Sequence, residues 1–519
     1  MGEVAEVRLA ELVAALSLAT DLGLGLPQEH VLRQTVIAMR LARLAGMDEA
    51  AQADTFYVSM LAWVGCVSDS HELAYWFGDD RQIRADSYQV DKVGLPMMRL
   101  MLGHVGSDGA PLRRITMIGR FLAGGHREAA GGFVTHCQTT GDIADRLGLG
   151  APVRMAIGQA FERWDGKGVP GAVAGADVEP VMRVVQVADD AEVFARTGGA
   201  AEVCSMLSSR RGTEFDPTLV DLVIANAEEV LGDLDDIDAW ETALAQCADL
   251  DRRVPEGNLD DVLTILADYA DLKSPRNLGH SRAVADLVEA AGGVAGLTAK
   301  DVTLVRRAAL VHRLGATGVS TSIWDKTEAL TSMEWERVRT VPYLTERILS
   351  RQPRLAEIAS IAGMCHERLD GTGYPRGLSG AAIPASTRLL AAADVYQGLA
   401  EERPGQAPLP AADRAAACQR EVQAGRLDAD AVRAVLAAAG HRVPRRRKLV
   451  AGLTAREAEV LALLVRGLSN RQIAERLVIG QRTVATHVEH ILAKTGCASR
   501  GAAAMFALRH GLVDASEDR

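Results

Sequence analysis

The clearest pattern of apolar and polar positions lies in residues 452–511, where apolar residues recur at helical spacing. Val484, Val488, Ile491 and Leu492 repeat at i, i+4, i+7 and i+8, which predicts the buried face of a long helix. Shorter apolar stripes precede this helix, and a last helix follows it. Two helices joined by a tight turn, the second one long and polar on its outer face, predict a helix-turn-helix.

Polar residues mark where these helices begin. Thr454 with Glu457, and Ser469 with Gln472, have the three-residue spacing of capping boxes. Ser499 is placed to cap the last helix. The pattern therefore predicts four helices, of which the third is the longest.

The same segment resembles the LuxR-type (GerE-like) helix-turn-helix family. The resemblance is carried by LTAREAEVL, LSNRQIAERL, RTVATHVEHILAKTG and the closing Arg500. It implies a four-helix domain over residues 451–513 that binds double-stranded DNA. It also implies a set of DNA-contacting residues on and beside the third helix: Arg471, Arg482, Thr483, Ala485, Thr486, Glu489 and Lys494.

Within that set, the family's base-reading positions fall on Ala485, Thr486 and Glu489. Alanine can touch only a thymine methyl group, and glutamate accepts a hydrogen bond from cytosine N4. The base preference should therefore differ from that of relatives with lysine in place of Ala485 or Glu489. The basic members of the set are better placed for phosphates, which position the helix without reading sequence.

Charge separates this segment from the rest of the chain. The chain carries a net charge of −11, whereas residues 441–519 hold 14 Lys and Arg against 7 Asp and Glu. An acidic body joined to a basic end is typical of a protein that binds DNA only through that end. The basic run in the linker at 437–450 is equally compatible with an arm on the phosphate backbone and with a solvated connection.

Composition places the protein in a broad class. The 519 residues are 48% hydrophobic but only 4% aromatic, which favours helices over sheets. Seven scattered cysteines form no CxxC pair, which favours a reduced compartment. The sequence shows no membrane span and no signal peptide, so we expect a cytoplasmic protein without a membrane partner.

Residues 1–440 contain an internal repeat. ERWDGKGVP from Glu162 matches ERLDGTGYP from Glu367 at an offset of 205, and Asp189 meets Asp394 in the same register. Earlier in each copy, His30 pairs with His280 at an offset of 250. The repeat predicts two tandem helical domains, at 8–235 with an insertion near 66–130 and at 255–436, and an all-α protein overall.

The second copy resembles the HD-GYP branch of the HD phosphohydrolase superfamily. The motifs are HSR at His280, HRLGATG at His312, CHERLDGTGYP at Cys365 and AADVYQGL around Asp394. The resemblance implies an all-α fold in which His and Asp hold two or three metal ions. Such ions lower the pKa of a bound water and clamp a phosphodiester.

Several of the family's ligand positions are substituted in this copy. Arg313 replaces the aspartate of the HD pair, Ala316 replaces a lysine, and Val341 replaces a histidine. The remaining candidates are His280, His312, Cys365, His366 and Asp394. They suit at most a single divalent ion such as Zn²⁺, so we expect no catalytic residues and no cofactor.

The first copy departs from the family in other ways. Ala62 and Trp63 replace the HD pair and Phe161 replaces a ligand histidine, while His30, His136 and Asp189 remain. Isolated polar groups in a helical core are most often hydrogen-bonded structural residues.

These observations predict a bacterial transcription regulator that is not an enzyme. Its HD-like body would be a sensory or dimerising module for an unknown small molecule, and LuxR-type domains favour a homodimer on two half-sites. The alternative is a metal-dependent HD-GYP phosphohydrolase, a cyclic dinucleotide phosphodiesterase, with an attached DNA-binding domain. A third hypothesis is a scaffold that binds a protein partner.

Overall fold

The computed structural model describes residues 7–107, 111–247, 252–402, 405–442, 450–477, 479–510 and 512. The chain divides into two compact units, Met1–His441 and Arg442–Arg519. The basic run at 445–448, with its two alternative interpretations, lies outside the described residues. As predicted, the fold is all-α.

The first part of the large unit is a set of helices that follow a two-residue strand, β1 (Val7–Arg8). These helices are α1 (Leu9–Leu24), α2 (His30–Leu44), α3 (Glu49–Leu61), α4 (Ser70–Phe77), α5 (Asp80–Ser87), α6 (Gly94–His104), α7 (Pro111–Arg120), α8 (His126–Arg146), α9 (Ala151–Ile157), α10 (Pro180–Arg210), α11 (Pro217–Ala225), α12 (Ala227–Leu231) and α13 (Ala239–Ala245). Helix α10 is interrupted at Gly199, where φ is 65°.

The second part of the large unit begins with β2 (Arg253–Val254), which pairs antiparallel with β1. Its helices are α14 (Leu259–Asp271), α15 (His280–Ala295), α16 (Ala299–Val311), α17 (Thr321–Trp324), α18 (Ser332–Arg339), α19 (Val341–Leu349), α20 (Ala356–Ala362), α21 (Ala385–Gly398), α22 (Ala411–Gln423) and α23 (Ala429–Ala438).

Helix α1 is the centre of the large unit, and all of its residues are buried. Its sequence is mostly apolar or small, with Glu11, Thr20 and Asp21 as buried polar exceptions, which is typical of a helix enclosed by protein. The second part of the unit packs against it directly. Thr317 donates a 2.9 Å hydrogen bond to the carbonyl of Ala19, and Tyr269 donates one of 3.3 Å to Thr20.

The repeat is visible in matched local contacts. The backbone N–H groups of Gly65 and Gly315 donate 2.9 Å hydrogen bonds to Thr140 and Thr345, respectively. A Cβ on either glycine would lie 2.3 Å from a backbone carbonyl oxygen, so only glycine allows this close approach. The carboxylates of Glu162 and Glu367 likewise each accept two backbone N–H groups from the turn that follows.

These matched contacts support the two copies inferred from the sequence. Because both copies belong to one compact unit, their boundaries at 8–235 and 255–436 stay a prediction.

A buried carboxylate joins the inserted segment of the first copy to the second copy. Asp80, at the start of α5, is fully buried and accepts a 2.5 Å contact from the Lys273 ammonium, which is only 1% exposed. It also accepts hydrogen bonds from the Ser320 hydroxyl at 3.1 Å and the Thr321 N–H at 2.9 Å. Burial alone would raise the pKa of Asp80, but the charges of Lys273 and Arg84 outweigh it and lower the pKa to about 2.

The small unit contains the four predicted helices, α24 (Ala455–Val465), α25 (Asn470–Leu477), α26 (Gln481–Thr495) and α27 (Arg500–Arg509). Thr454 and Glu457 form a capping box, and Ser499 caps α27 through a 3.2 Å bond from Ala502 N–H. Val484, Val488 and Ile491 are buried in a common core, as their spacing predicted.

A search of the described residues finds no helix that is long and apolar enough to cross a membrane.

Replacing Asp80 by asparagine should destabilise the large unit. The change leaves the Lys273 ammonium buried without its counter-charge, which typically costs roughly 3–5 kcal/mol. Denaturant unfolding of the full chain followed by circular dichroism measures this loss. Asp86→Asn, at a partly exposed position of the same helix, should cost less than about 1 kcal/mol.

The pH dependence of the two proteins provides a second check. A depressed carboxylate pKa stabilises the fold above pH 3.8, and this contribution is lost as the pH falls through about 2. The Asp80→Asn protein should therefore lose less stability in that interval than the unsubstituted protein. Equal stability of the two at neutral pH would contradict this account of Asp80.

Candidate metal centre and nucleic-acid interface

Three potential metal ligands converge in the second copy. His280 is the first residue of α15, His312 directly follows α16, and Asp394 lies in α21. The Nε2 atoms of the two histidines lie 3.1 and 3.3 Å from Oδ1 of Asp394. One ligand atom from each of the three residues falls within 4.8 Å of the other two. Both imidazoles are almost fully buried.

The second nitrogen of each imidazole is fixed by an acceptor. Nδ1 of His312 lies 2.6 Å from the carbonyl oxygen of Ala309, and Nδ1 of His280 lies 2.9 Å from both carboxylate oxygens of Glu401. Because a carbonyl or an ionised carboxylate only accepts, both Nδ1 atoms carry a proton. Both Nε2 atoms face Asp394, so a metal ion bound there would take the place of their protons while the Nδ1–H groups stay with their acceptors.

The charges and donor types of this group fit a divalent cation. Burial would lower the pKa of His280, but its hydrogen bonds with Asp394 and Glu401 raise it. When a metal ion displaces the Nε2 protons, the two imidazoles and the carboxylates of Asp394 and Glu401 would supply a charge of −2 in a largely buried position. Burial would raise the pKa of Asp394, but its contacts with His280 and His312 hold that pKa well below its usual value. Nitrogen and oxygen donors of this kind suit zinc and other transition metals, and three protein ligands leave coordination positions for water and substrate.

His366 and Cys365 differ in their relation to this group. Nδ1 of His366 lies 3.8 Å from Oδ2 of Asp394, and its ring packs 5.0 Å from that of Tyr374. Burial lowers the pKa of His366 to about 4, so the ring is neutral and able to extend the ligand set. Among the described residues, the converging atoms do not include the buried Cys365, and burial raises the pKa of its thiol.

Arg313 does not take the place of the missing aspartate in the ligand set. Its Nε lies 3.8 Å from Oδ1 of Asp271, and its guanidinium lies 5.5 Å from the centre of the Trp324 ring. Arg313 would repel a metal ion, but this repulsion is reduced because Asp271 partly neutralises the charge of the guanidinium. The positive charge of Arg313 lowers the pKa of His280, but by less than the hydrogen bonds to Asp394 and Glu401 raise it.

Glu401 was not identified from the sequence, although it orients His280. It lies seven residues after Asp394, which is two helical turns and therefore the same side of a helix. A carboxylate seven residues after a candidate metal ligand is the sequence signal that could have identified Glu401. Helix α21 ends at Gly398, so the relation holds only approximately.

The first copy does not reproduce this arrangement. Nε2 of His30 lies 3.0 Å from Asp189 and Nδ1 lies 2.5 Å from Glu192, as for His280, but Ala62 stands where His312 supplies the second imidazole. Burial would lower the pKa of His30, but the two carboxylates raise it to about 10. A protonated imidazole has no lone pair to offer a metal. His136, which the sequence also retains, points Nε2 at the carbonyl of Ala62 at 2.7 Å.

In the small unit, helix α26 presents most of the predicted base-reading face to solvent. Arg482, Thr483, Thr486 and Glu489 are exposed, and Ala485 is half-buried. Arg471 is also exposed, on α25, where it forms a 3.2 Å ion pair with Glu475. The roles of these residues in DNA binding stay predictions.

Lys494 has a structural partner that the sequence did not reveal. Its ammonium lies 2.7 Å from the Glu457 carboxylate, which also closes the capping box of α24 with Thr454. The pair ties α26 to α24. A phosphate contact by Lys494 would compete with this ion pair.

Comparison with known proteins assigns both parts of the chain. Residues 264–431 match the HD domain family, and residues 451–507 match the bacterial regulatory proteins of the luxR family. The chain is 30% identical over 417 residues to the 3'3'-cGAMP-specific phosphodiesterase 3 of Vibrio cholerae serotype O1, a match that covers 80% of this chain and 90% of that protein.

Other relatives agree with this assignment. A crystal structure of the V. cholerae cyclic GMP-AMP specific phosphodiesterase V-cGAP3 superimposes with a TM-score of 0.58 at 25% identity, over 85% of this chain and 99% of that one. A cyclic di-GMP phosphodiesterase of Thermotoga maritima is 35% identical over 152 residues, 29% of this chain and 40% of that protein. The chain therefore belongs to the HD-domain family of these phosphodiesterases and carries a luxR-family DNA-binding domain.

Two predictions from the sequence are wrong. The expectation of a non-enzyme is contradicted by the curated phosphodiesterase that matches 80% of the chain. The expectation of no cofactor conflicts with the metal dependence of HD-domain phosphodiesterases. The substituted positions do not prevent His280, His312 and Asp394 from converging, and this convergence is not visible in the sequence.

The full chain, purified without chelator, should retain about one divalent metal ion. His280→Ala should lose it, because the change removes one of the three converging donors. Elemental analysis measures metal per chain. His71→Ala is the matched control, since it removes a half-exposed histidine that pairs with Asp325 at 2.6 Å. Equal metal in wild type and His280→Ala, or none in either, would rule out this centre.

Proposed function

We propose that the protein is a metal-dependent phosphodiesterase of cyclic dinucleotides, joined to a DNA-binding domain. The observation that carries the proposal is the convergence of His280, His312 and Asp394, with Nδ1 of both histidines held by an acceptor and both Nε2 atoms facing Asp394. The activity of the relatives supports the substrate class, because the V. cholerae protein that matches most of the chain is a 3'3'-cGAMP-specific phosphodiesterase.

Each residue of the centre has a distinct role. His280, His312 and Asp394 bind the ion, while Glu401 and the carbonyl of Ala309 fix the direction of the imidazoles. Arg313 supplies a positive charge beside the centre, which favours an anionic phosphodiester over a neutral molecule. When bound, the metal supplies a polarised phosphoryl oxygen and a water of lowered pKa.

Hydrolysis of 3'3'-cGAMP and of cyclic di-GMP by the metal-loaded full chain tests the proposed activity. Asp394→Asn removes the charge that both histidines face, so kcat/KM should fall by at least ~100-fold, more than is usual for an outer-sphere residue. Asp261→Asn, an exposed position on α14, should leave the rate unchanged. No hydrolysis of either nucleotide by the metal-loaded wild type would refute the proposal.

We further propose that the small unit places α26 in the major groove and that the protein binds DNA as a homodimer. The exposed face of α26 and the basic balance of residues 441–519 support this placement. Regulation by a small molecule would then require a ligand with different affinities for two dimer arrangements.

Arg482→Ala should weaken DNA binding and reduce the slope of log affinity against log salt by about 1, because one phosphate contact is lost. Band shifts with DNA fragments from upstream of the protein's own gene, at several salt concentrations, measure both the affinity and the slope. Arg509→Ala, which removes an exposed arginine of α27, should leave the slope unchanged. An unaltered slope for Arg482→Ala would show that this residue does not contact phosphate.

A further inference from the structure

A cavity of about 180 Å³ lies in the first copy, between its helical core and the inserted segment. Trp63, Phe161 and Asp189 line it on the side of the core. Tyr88 and Met97 line it on the side of the insertion. Both walls are therefore rich in aromatic and apolar side chains.

The repeat relates this cavity to the metal centre of the second copy. Trp63 stands at the position of Arg313, and Phe161 stands at the position of His366. Asp189, the equivalent of Asp394, is held by His30. The space that corresponds to the metal centre is thus bounded by rings and by a histidine with no lone pair to offer. A molecule bound here would not meet a catalytic metal.

The charges along the cavity are already neutralised. Lys92 lies 2.7 Å from Asp190, and Arg163 lies 3.0 Å from Asp91. Arg84 is held by Asp69 and by Asp80. The remaining charged side chains along the wall are also partnered: Glu162, Lys167, Asp189 and Glu214.

The polar groups that could ionise are held neutral as well. Burial raises the pKa of the Cys66 thiol to about 12, and it also raises the pKa of the Tyr88 phenol. Among the described residues that line the cavity, each cation already has a carboxylate partner, the exposed Lys167 at 3.7 Å from Asp165. An anionic ligand such as a cyclic dinucleotide would have to displace one of these carboxylates, which disfavours it.

Size leads to the same conclusion. An apolar cavity of about 150 Å³ holds a molecule the size of benzene. The volume here accommodates one or two fused rings, and a dinucleotide would have to extend beyond it. Aromatic walls favour planar ligands through stacked and edge-to-face contacts. Met97 and Met101 can adjust to an irregular shape.

We propose that this cavity is a binding site for a small, neutral, planar aromatic molecule of one or two rings. The site is distinct from the metal centre, and the proposal does not depend on the activity of the second copy. It is connected to that copy, however. Arg84 lines the cavity and bonds to Asp80, which accepts hydrogen bonds from Ser320 and Thr321. A bound ligand would thus contact the network that joins the two copies.

Indole is a suitable probe, because it is neutral, planar and bicyclic. Isothermal titration of the full chain should show one indole per chain, with a dissociation constant on the order of 0.1–1 mM for so small a ligand. Met97→Trp places a large ring in the cavity and should weaken binding at least tenfold. Absence of binding to the wild type at 5 mM indole, roughly five times the weakest expected dissociation constant, would overturn the proposal.

Leu95→Trp is the matched control. Leu95 lies on the same helix, is 85% exposed and does not line the cavity. Helix α6, described along its whole length, contributes no buried residue, so neither substitution should disturb the fold. Equal affinity of the two tryptophan variants would place indole elsewhere and contradict the assignment. Displacement of indole by 3'3'-cGAMP would contradict the preference for neutral over anionic ligands.

Discussion

A histidine packed against a buried aspartate is the interaction around which both copies are arranged. His30 lies 3.0 Å from Asp189, and His280 lies 3.1 Å from Asp394. Each pair is largely removed from water, where an unbalanced charge is costly. The residues around each pair must therefore complete the charge balance, and the two copies do so in different ways. That difference determines which copy can carry chemistry.

In the first copy, Glu192 occupies the second nitrogen of His30, and the protonated ring balances the carboxylates within the protein itself. In the second copy, Glu401 also takes the outer nitrogen of its histidine, but a second imidazole, His312, directs its Nε2 at the same aspartate. Two ring nitrogens and a carboxylate oxygen thus meet at one point. A divalent cation that displaces the Nε2 protons can be held by all three.

The sequence predicts well those features that depend on local chemistry. The capping box of Thr454 and Glu457 and the apolar spacing of Val484 and Val488 predicted helices that the structure contains, because caps and helical faces involve residues a few positions apart. The sequence cannot show the direction of a side chain such as Arg313, which depends on Asp271 and Trp324 from other elements. For that reason, the sequence alone does not show that the potential metal ligands of the second copy still converge.

The arrangement of the first copy also explains why a cavity lies at the position that corresponds to the metal centre of the second copy. Once His30 is held between two carboxylates, nothing at that position requires water or a metal, and rings such as Trp63 and Phe161 can replace the lost ligands. Rigid rings of this size pack against each other at 6.0 Å without filling the space that ligands and substrate would need. An apolar cavity thus lies in the first copy where the second copy has its converging ligands, and Arg84 and Asp80 connect that cavity to Lys273 of the second copy.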